Sequence, residues 1–144
     1  MLDIPALVPE IDVTDLARSV ATYCTIFGFR VVVQRPEEAF AYLALGHAHL
    51  MLQQADGPGR RFRTAPLRRP YGRGINLQIQ VANVAACYDR SREAGLAVVI
   101  PLEDRWYRQH DVERGNRQFV VADPDGYLLR FFEDVGAREV SQNR

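Results

Sequence analysis

The sequence predicts an α+β fold in which two βαβββ modules form curved mixed sheets around a cleft, with the helices outside. The first observation behind this prediction is an internal repeat, because four positions of the first half recur in the second half. Their spacing is 67 or 68 residues for three pairs and 80 for the last, which indicates about a dozen inserted residues near Trp106. The pairs are Val13 with Val81, Leu16 with Val84, Gly28 with Gly95 and Gly46 with Gly126.

The second observation is the turn signal Asp-Pro-Asp-Gly at residues 123–126, which valine-rich residues precede and bulky residues follow. Together these segments predict a closing hairpin. The third is a segment rich in glycine, proline and arginine at residues 56–74, which is typical of a linker. We therefore expect one domain at residues 1–136 and a polar tail at 137–144. Within the domain, module one spans residues 5–55 and module two spans residues 75–136.

In the first module, the moderate alternation of residues 6–13 predicts a strand. Thr14 is a suitable helix cap, and apolar residues then recur at helical spacing until Gly28, which ends the helix. Three β-prone segments predict the strands that follow. They are residues 29–34, 39–45 and 49–53.

The second module repeats this order. Residues 75–81 predict a strand, Asn83 is expected to cap a helix, and a glycine ends that helix. Residues 97–100 predict the next strand. A long loop is then expected through Trp106 and Tyr107 before the closing hairpin.

Composition and charge argue against several classes of function. Eighteen basic and eighteen acidic residues cancel, so the overall charge gives no case for nucleic acid or a membrane surface as a partner. No apolar run approaches the roughly 20 residues of a membrane span, and the first residues do not resemble a signal peptide. Cys24 and Cys87 form no CxxC motif and predict buried free thiols, so we expect a cytoplasmic location. The six linker arginines leave two interpretations open, an anion site or a solvated basic loop.

One residue of the closing strand is unusual for its position. With a side-chain period of two, Arg130 shares a face with Leu128 and Phe132. A guanidinium on a largely apolar face needs a partner, a ligand or a wet cavity. We therefore expect Arg130 to mark a ligand site, with Glu10 of the first strand as its internal partner.

Two motifs resemble those of the vicinal oxygen chelate superfamily, which includes glyoxalase I, extradiol dioxygenases and bleomycin-resistance proteins. One is the helix pattern from Asp15-Leu16 to Gly28-Phe29, and the other is the hairpin sequence at residues 123–127. The resemblance covers residues 5–136. Trp106 and the segment Arg117-Gln118-Phe119 are most similar to the bleomycin-resistance branch. The resemblance implies a homodimer that holds its ligand in clefts lined from both subunits.

Metal-dependent members of that superfamily hold one divalent ion with four His, Glu or Gln residues. The matching positions here are Val8, Met51, Asn76 and Arg130. Valine cannot ligate, methionine is a poor ligand for the usual ions, and arginine repels a cation. The resemblance therefore implies a cavity with no metal, no other cofactor and no catalytic residue. A shifted alignment leaves Glu10 or His49 as an alternative ligand, with His47 on the same face as His49.

The favoured interpretation is a metal-independent protein that sequesters an aromatic small molecule, such as an antibiotic. Its aromatic side chains would stack on the ligand. The predicted ligand-binding residues are Trp106, Tyr107, Arg130, Phe40, Tyr42, Met51, Asn76 and Glu10. Bleomycin itself is cationic, so Arg130 and the linker arginines argue against that ligand. The alternatives are a glyoxalase- or dioxygenase-like lyase or oxidoreductase with a non-standard site, and a purely structural dimer.

Overall fold

The computed structural model describes residues 2–140, and each module forms one four-stranded sheet with one α-helix. The first module contains β1 (Glu10–Val13), α1 (Leu16–Ala21), β2 (Arg30–Arg35), β3 (Phe40–Leu45) and β4 (Ala48–Gln54). The second contains β5 (Asn76–Gln80), α2 (Val84–Glu93), β6 (Val98–Gln109), β7 (Val112–Ala122) and β8 (Leu128–Glu139). The predicted α+β class and the repeated βαβββ order are confirmed.

The two sheets have the same strand order, β1-β4-β3-β2 in the first module and β5-β8-β7-β6 in the second. In each module the first strand pairs in parallel with the last, and the other pairs are antiparallel. The parallel register sets Glu10 opposite Met51 in the first sheet and Gln78 opposite Arg130 in the second. The modules are therefore structural repeats, as the paired positions in the sequence predicted.

The contacts divide the chain into two units that differ slightly from the modules. The first unit extends to Ile75 and also includes the hairpin turn Asp123–Tyr127. The second consists of Asn76–Ala122 and residues 128–140. Among residues 2–140, no helix is long and apolar enough to cross a membrane.

The insertion in the second half lengthens two strands. β6 has 12 residues and β7 has 11, whereas β2 and β3 have 6 each. The loop predicted through Trp106 and Tyr107 is therefore wrong. The charged residues of this segment pair with residues of the neighbouring strand. Asp104 lies opposite Arg117, for example, and Oδ1 of Asp104 is 2.9 Å from Nε of Arg117.

The closing strand is also longer than the sequence predicted. The bulky residues end at Glu133, but β8 continues to Glu139 opposite the extended part of β7. The expected polar tail at 137–144 therefore begins inside a strand. Its last four residues lie outside the described part of the chain.

The helix starts follow the predicted signals with one correction. Asp15 rather than Thr14 caps α1, because its carboxylate accepts a hydrogen bond from the backbone N–H of Arg18 at 3.1 Å. Asn83 caps α2 as predicted, accepting from the backbone N–H of Ala86 at 3.1 Å. The hydroxyl of Thr14 instead donates to a buried carboxylate of the hairpin turn.

Buried polar contacts hold the hairpin turn within the first unit. Asp123 accepts hydrogen bonds from the Tyr23 hydroxyl at 2.7 Å and from the backbone N–H groups of Asp125 and Tyr127. Burial raises the pKa of Asp123, and burial beside that carboxylate raises the pKa of Tyr23 well above its usual value. Asp125 is fully buried and pairs with Arg69 of the linker at 3.2 Å. The linker and the turn therefore stabilise each other.

The arginine-rich linker is held in place by hydrogen bonds to the protein's own oxygen atoms. One ion pair joins Arg63 to Asp12, whose Nε and Oδ2 atoms are 2.8 Å apart. The linker arginines that donate such bonds are Arg61, Arg63, Arg69 and Arg73. These contacts favour a structural role for the linker arginines over an anion site.

Candidate functional site

A cavity of about 540 Å³ lies in the second unit, and all four strands of its sheet contribute to the lining. Its apolar lining consists of Val99, Ile100, Val120 and Leu128. Its polar lining consists of Asn76, Glu103, Arg105, Tyr107, Gln118 and Arg130. A cavity of this size, with apolar walls and a few polar groups, is typical of small-molecule sites.

Strand alternation explains which side chains line the cavity. On β8, Leu128 and Arg130 line it, whereas Leu129 between them is fully buried in the core. On β7, Gln118 and Val120 line it in the same way. The prediction that Arg130 shares a face with Leu128 is confirmed.

Two side chains inside the cavity converge on the hydroxyl oxygen of Tyr107. Gln118 Nε2 donates to this oxygen at 2.7 Å and to Glu103 Oε1 at 3.3 Å. Arg130 Nη1 donates to the same oxygen at 3.4 Å. Because the oxygen accepts both bonds, the hydroxyl proton of Tyr107 is left to donate to a ligand.

Two atoms of this cluster are buried without a hydrogen-bond partner among residues 2–140: Arg130 Nε, a donor, and Gln118 Oε1, an acceptor. Gln118 is only 2% exposed, so bulk water does not satisfy its oxygen. An unpaired buried polar group costs about 1–3 kcal/mol. A bound molecule that supplies the missing partners would recover this cost.

The charges of the lining residues favour an anionic ligand. Arg105 and Arg130 are positive and Glu103 is negative, which leaves one net positive charge around the cavity. Glu103 is engaged by the Gln118 amide, whereas the Nε of Arg130 has no partner in the described chain. The potential in the cavity therefore attracts anions more than cations.

Three of the residues predicted from the sequence line this cavity: Asn76, Tyr107 and Arg130. Sequence reasoning missed Gln118 as a site residue, although its amide is central to the polar cluster. The sequence did contain a signal for this role. Gln118 is a polar residue in the largely apolar second half of β7, on the same face as Val120. Glu103 and Arg105 were also missed. A loop was predicted at these positions, whereas in a strand Glu103, Arg105 and Tyr107 share one face.

Trp106 is next to Tyr107 in β6 but faces the other side of the sheet. Its ring lies over Gly115, where an added Cβ would come within 2.8 Å of the indole. The guanidinium carbon of Arg138 is 4.1 Å from the indole centroid. Trp106 does not line the cavity. This geometry therefore does not support the prediction that Trp106 and Tyr107 contact the same ligand.

Three other predicted residues lie in the first sheet. Phe40 and Tyr42 are buried in the core, with 5% and 8% of their surface exposed. The Tyr42 hydroxyl is 2.7 Å from Nδ1 of the buried His49. Met51 is half-buried on β4, opposite Tyr42. Roles for these three side chains at a ligand stay predictions.

Glu10 lies in a groove of the first unit, where its neighbours include Asp12. Burial, together with the charge of Asp12, raises the pKa of Glu10. Within the second unit, Nη1 of Arg130 donates a hydrogen bond to the Tyr107 hydroxyl oxygen. Glu10 as the internal partner of Arg130 stays a prediction.

The donor atoms around the cavity do not fit a divalent metal ion. Asn76 and Arg130, at two of the four positions compared with metal-dependent relatives, supply one neutral amide and one cation. His49 is engaged by Tyr42. Within residues 2–140, no group of three or more His, Cys, Asp or Glu side chains is placed to hold a metal.

Comparisons with known proteins agree with this architecture. A family model described as the Glyoxalase/Bleomycin resistance protein/Dioxygenase superfamily matches residues 7–131. Bleomycin resistance proteins of Geobacillus stearothermophilus and Staphylococcus aureus are each 27% identical to this chain over 135 residues. Those matches cover 89% of this chain and 96% of each relative.

Solved structures give the same result. TioX from Micromonospora sp. ML1 superimposes with a TM-score of 0.68 at 26% identity, covering 93% of this chain and 98% of TioX. A glyoxalase/bleomycin resistance protein/dioxygenase from Alicyclobacillus acidocaldarius has a TM-score of 0.60 at 18% identity, covering 92% of both chains. The second similarity concerns the fold alone.

Proposed function

We propose that this chain, which belongs to the Glyoxalase/Bleomycin resistance protein/Dioxygenase superfamily, binds and sequesters a small aromatic molecule without a metal. The observation that carries the proposal is the polar cluster of Arg130, Tyr107 and Gln118 in a partly apolar cavity, where two buried hydrogen-bonding atoms find no partner among residues 2–140. Relatives named bleomycin resistance proteins support a binding role.

The cavity suits an aromatic ligand that carries an acceptor group. The ring would pack against Val99, Ile100 and Leu128, where burial stabilises by roughly 25 cal/mol per Å² of apolar surface. An anionic acceptor would take the free Nε–H of Arg130 and the proton of Tyr107. A charge-assisted hydrogen bond of this kind contributes about 1.5–3 kcal/mol.

The ligand is proposed to be acidic or neutral rather than cationic. The positive excess around the cavity would repel a cation, so bleomycin itself is a poor fit to the site. The relatives' name therefore supports the binding role but not the identity of the ligand.

The assembly and boundaries inferred from the sequence remain part of the proposal. We expect a homodimer in the cytoplasm, with residues 1–136 forming one functional domain. Roles for Trp106, Phe40, Tyr42, Met51 and Glu10 at a ligand stay predictions, and the cavity described above does not require them.

Isothermal titration calorimetry with three matched naphthalene probes tests the proposed function. The probes are the anion 2-naphthoate, the neutral methyl 2-naphthoate and the cation 2-naphthylmethylammonium, all titrated in EDTA. We expect one site per chain and at least about tenfold tighter binding of the anion than of the cation, because one charge-assisted bond contributes that much. Binding of none of the three, or tightest binding of the cation, would contradict the proposal.

A further inference from the structure

We propose that Gln118 is a specificity-determining residue, which selects ligands that carry a hydrogen-bond donor beside the acceptor held by Arg130. The chemical class is an aromatic ring whose edge presents both groups, as a primary carboxamide or a lactam does. This inference rests on the proposed function, because it concerns the ligand of the same cavity.

The contacts of Gln118 fix which end of its amide faces the ligand. One amide atom lies 3.3 Å from Glu103 Oε1 and 2.7 Å from the Tyr107 hydroxyl oxygen. A carboxylate only accepts hydrogen bonds, so the atom beside Glu103 is the amide nitrogen. The amide oxygen then has no partner in residues 2–140, and the residue is 2% exposed. Glu103 is therefore a positioning residue for this oxygen.

The unpaired donor and the unpaired acceptor are close neighbours. Arg130 on β8 is opposite Val120 on β7, and Gln118 is two residues away on the same face. Such diagonal neighbours are within reach of long side chains. Both residues also hydrogen-bond the same Tyr107 oxygen. One planar group next to that oxygen can therefore reach Arg130 Nε and Gln118 Oε1 together.

The two residues select different properties of the ligand. Arg130 favours an acceptor, above all one with negative charge, whereas Gln118 favours an N–H or O–H donor. An ester offers acceptors only, so it leaves the buried oxygen of Gln118 unpaired. A carboxamide offers a carbonyl oxygen and an N–H on the same carbon and satisfies both.

The test compares 2-naphthamide with methyl 2-naphthoate, which share a ring system and are uncharged, by calorimetric titration of the full chain. We expect the wild-type chain to bind the amide about tenfold more tightly, the usual effect of leaving one buried acceptor unpaired. Gln118→Met keeps the length of the side chain and removes the acceptor. It should bring the ratio of the two dissociation constants close to one.

Gln80→Met is the matched control, because Gln80 is exposed on β5 and does not line the cavity. It should leave the ratio unchanged.

If circular dichroism shows that Gln118→Met does not fold, Glu103→Gln replaces it. Losing the Glu103 carboxylate frees the Gln118 amide to rotate, which should lower the ratio of the two dissociation constants. A ratio near one in the wild-type chain, or a tenfold ratio that persists without Gln118, overturns the inference while binding itself still supports the proposed function. Absence of binding by both probes overturns the proposed function and the inference with it.

Discussion

Replacing Arg130 by methionine is expected to weaken binding of 2-naphthoate by about 10- to 100-fold, the effect of losing a charge-assisted hydrogen bond of about 1.5–3 kcal/mol. Arg130 is a cation of the cavity lining, and its buried Nε has no partner in the described part of the chain. Methionine keeps much of the apolar stem. The neutral ester should therefore lose much less affinity than the anion, and calorimetric titration of both probes measures the difference.

Arg138→Met is the matched control for that experiment. Arg138 belongs to the same strand but stacks on Trp106, away from the cavity. Its replacement should leave the preference for the anion intact. Two results would show that Arg130 does not recognise the charge. Arg130→Met would lose equal affinity for the anion and the ester, or Arg138→Met would lose the preference for the anion.

Replacing Gly126 by alanine is expected to destabilise the fold by about 2–4 kcal/mol. Gly126 has a φ of +100°, and an added Cβ would lie 2.5 Å from the Cβ of Pro70 in the linker. The substitution therefore combines an unfavourable backbone conformation with a clash at the contact between the turn and the linker. Urea denaturation followed by circular dichroism gives the change in free energy of unfolding.

Gly136 provides the control, because its φ is +98° and no atom of the described residues lies within 4 Å of an added Cβ. Gly136→Ala should cost only about 1–2 kcal/mol, the conformational part of the effect. If the two variants lose equal stability, the contact between Gly126 and Pro70 contributes nothing measurable.

Much of the fold was predictable because its signals are local and occur twice. The cap at Asn83 and the closing hairpin each follow from a few adjacent residues. Because the module occurs twice, the prediction of an element in one module supports the prediction of its counterpart in the other. The extension of β6 was not predictable in this way. Residues such as Asp104 have low β propensity, and only the partner strand, with Arg117 directly opposite, makes a strand favourable there.

The candidate site was predictable only where strand alternation was clear. Arg130 was visible because it interrupts an apolar face, and the structure places it in the cavity. Trp106 and Tyr107 were grouped together because a loop allows adjacent side chains to share a target, whereas a strand points them to opposite faces. Gln118 was missed because its importance depends on Glu103 across the sheet, a contact that no sequence spacing reveals.

The central claim is that the ligand binds on the Tyr107 face of the second sheet, and one measurement tests it most directly. It is the dissociation constant of 2-naphthoate for Tyr107→Ala compared with Trp106→Ala, determined on folded proteins in EDTA. These neighbours lie on one strand, but only Tyr107 lines the cavity. We predict at least about tenfold weaker binding for Tyr107→Ala, which loses an aromatic wall of the cavity and a hydroxyl donor, and a nearly unchanged constant for Trp106→Ala. The reverse order would contradict the account.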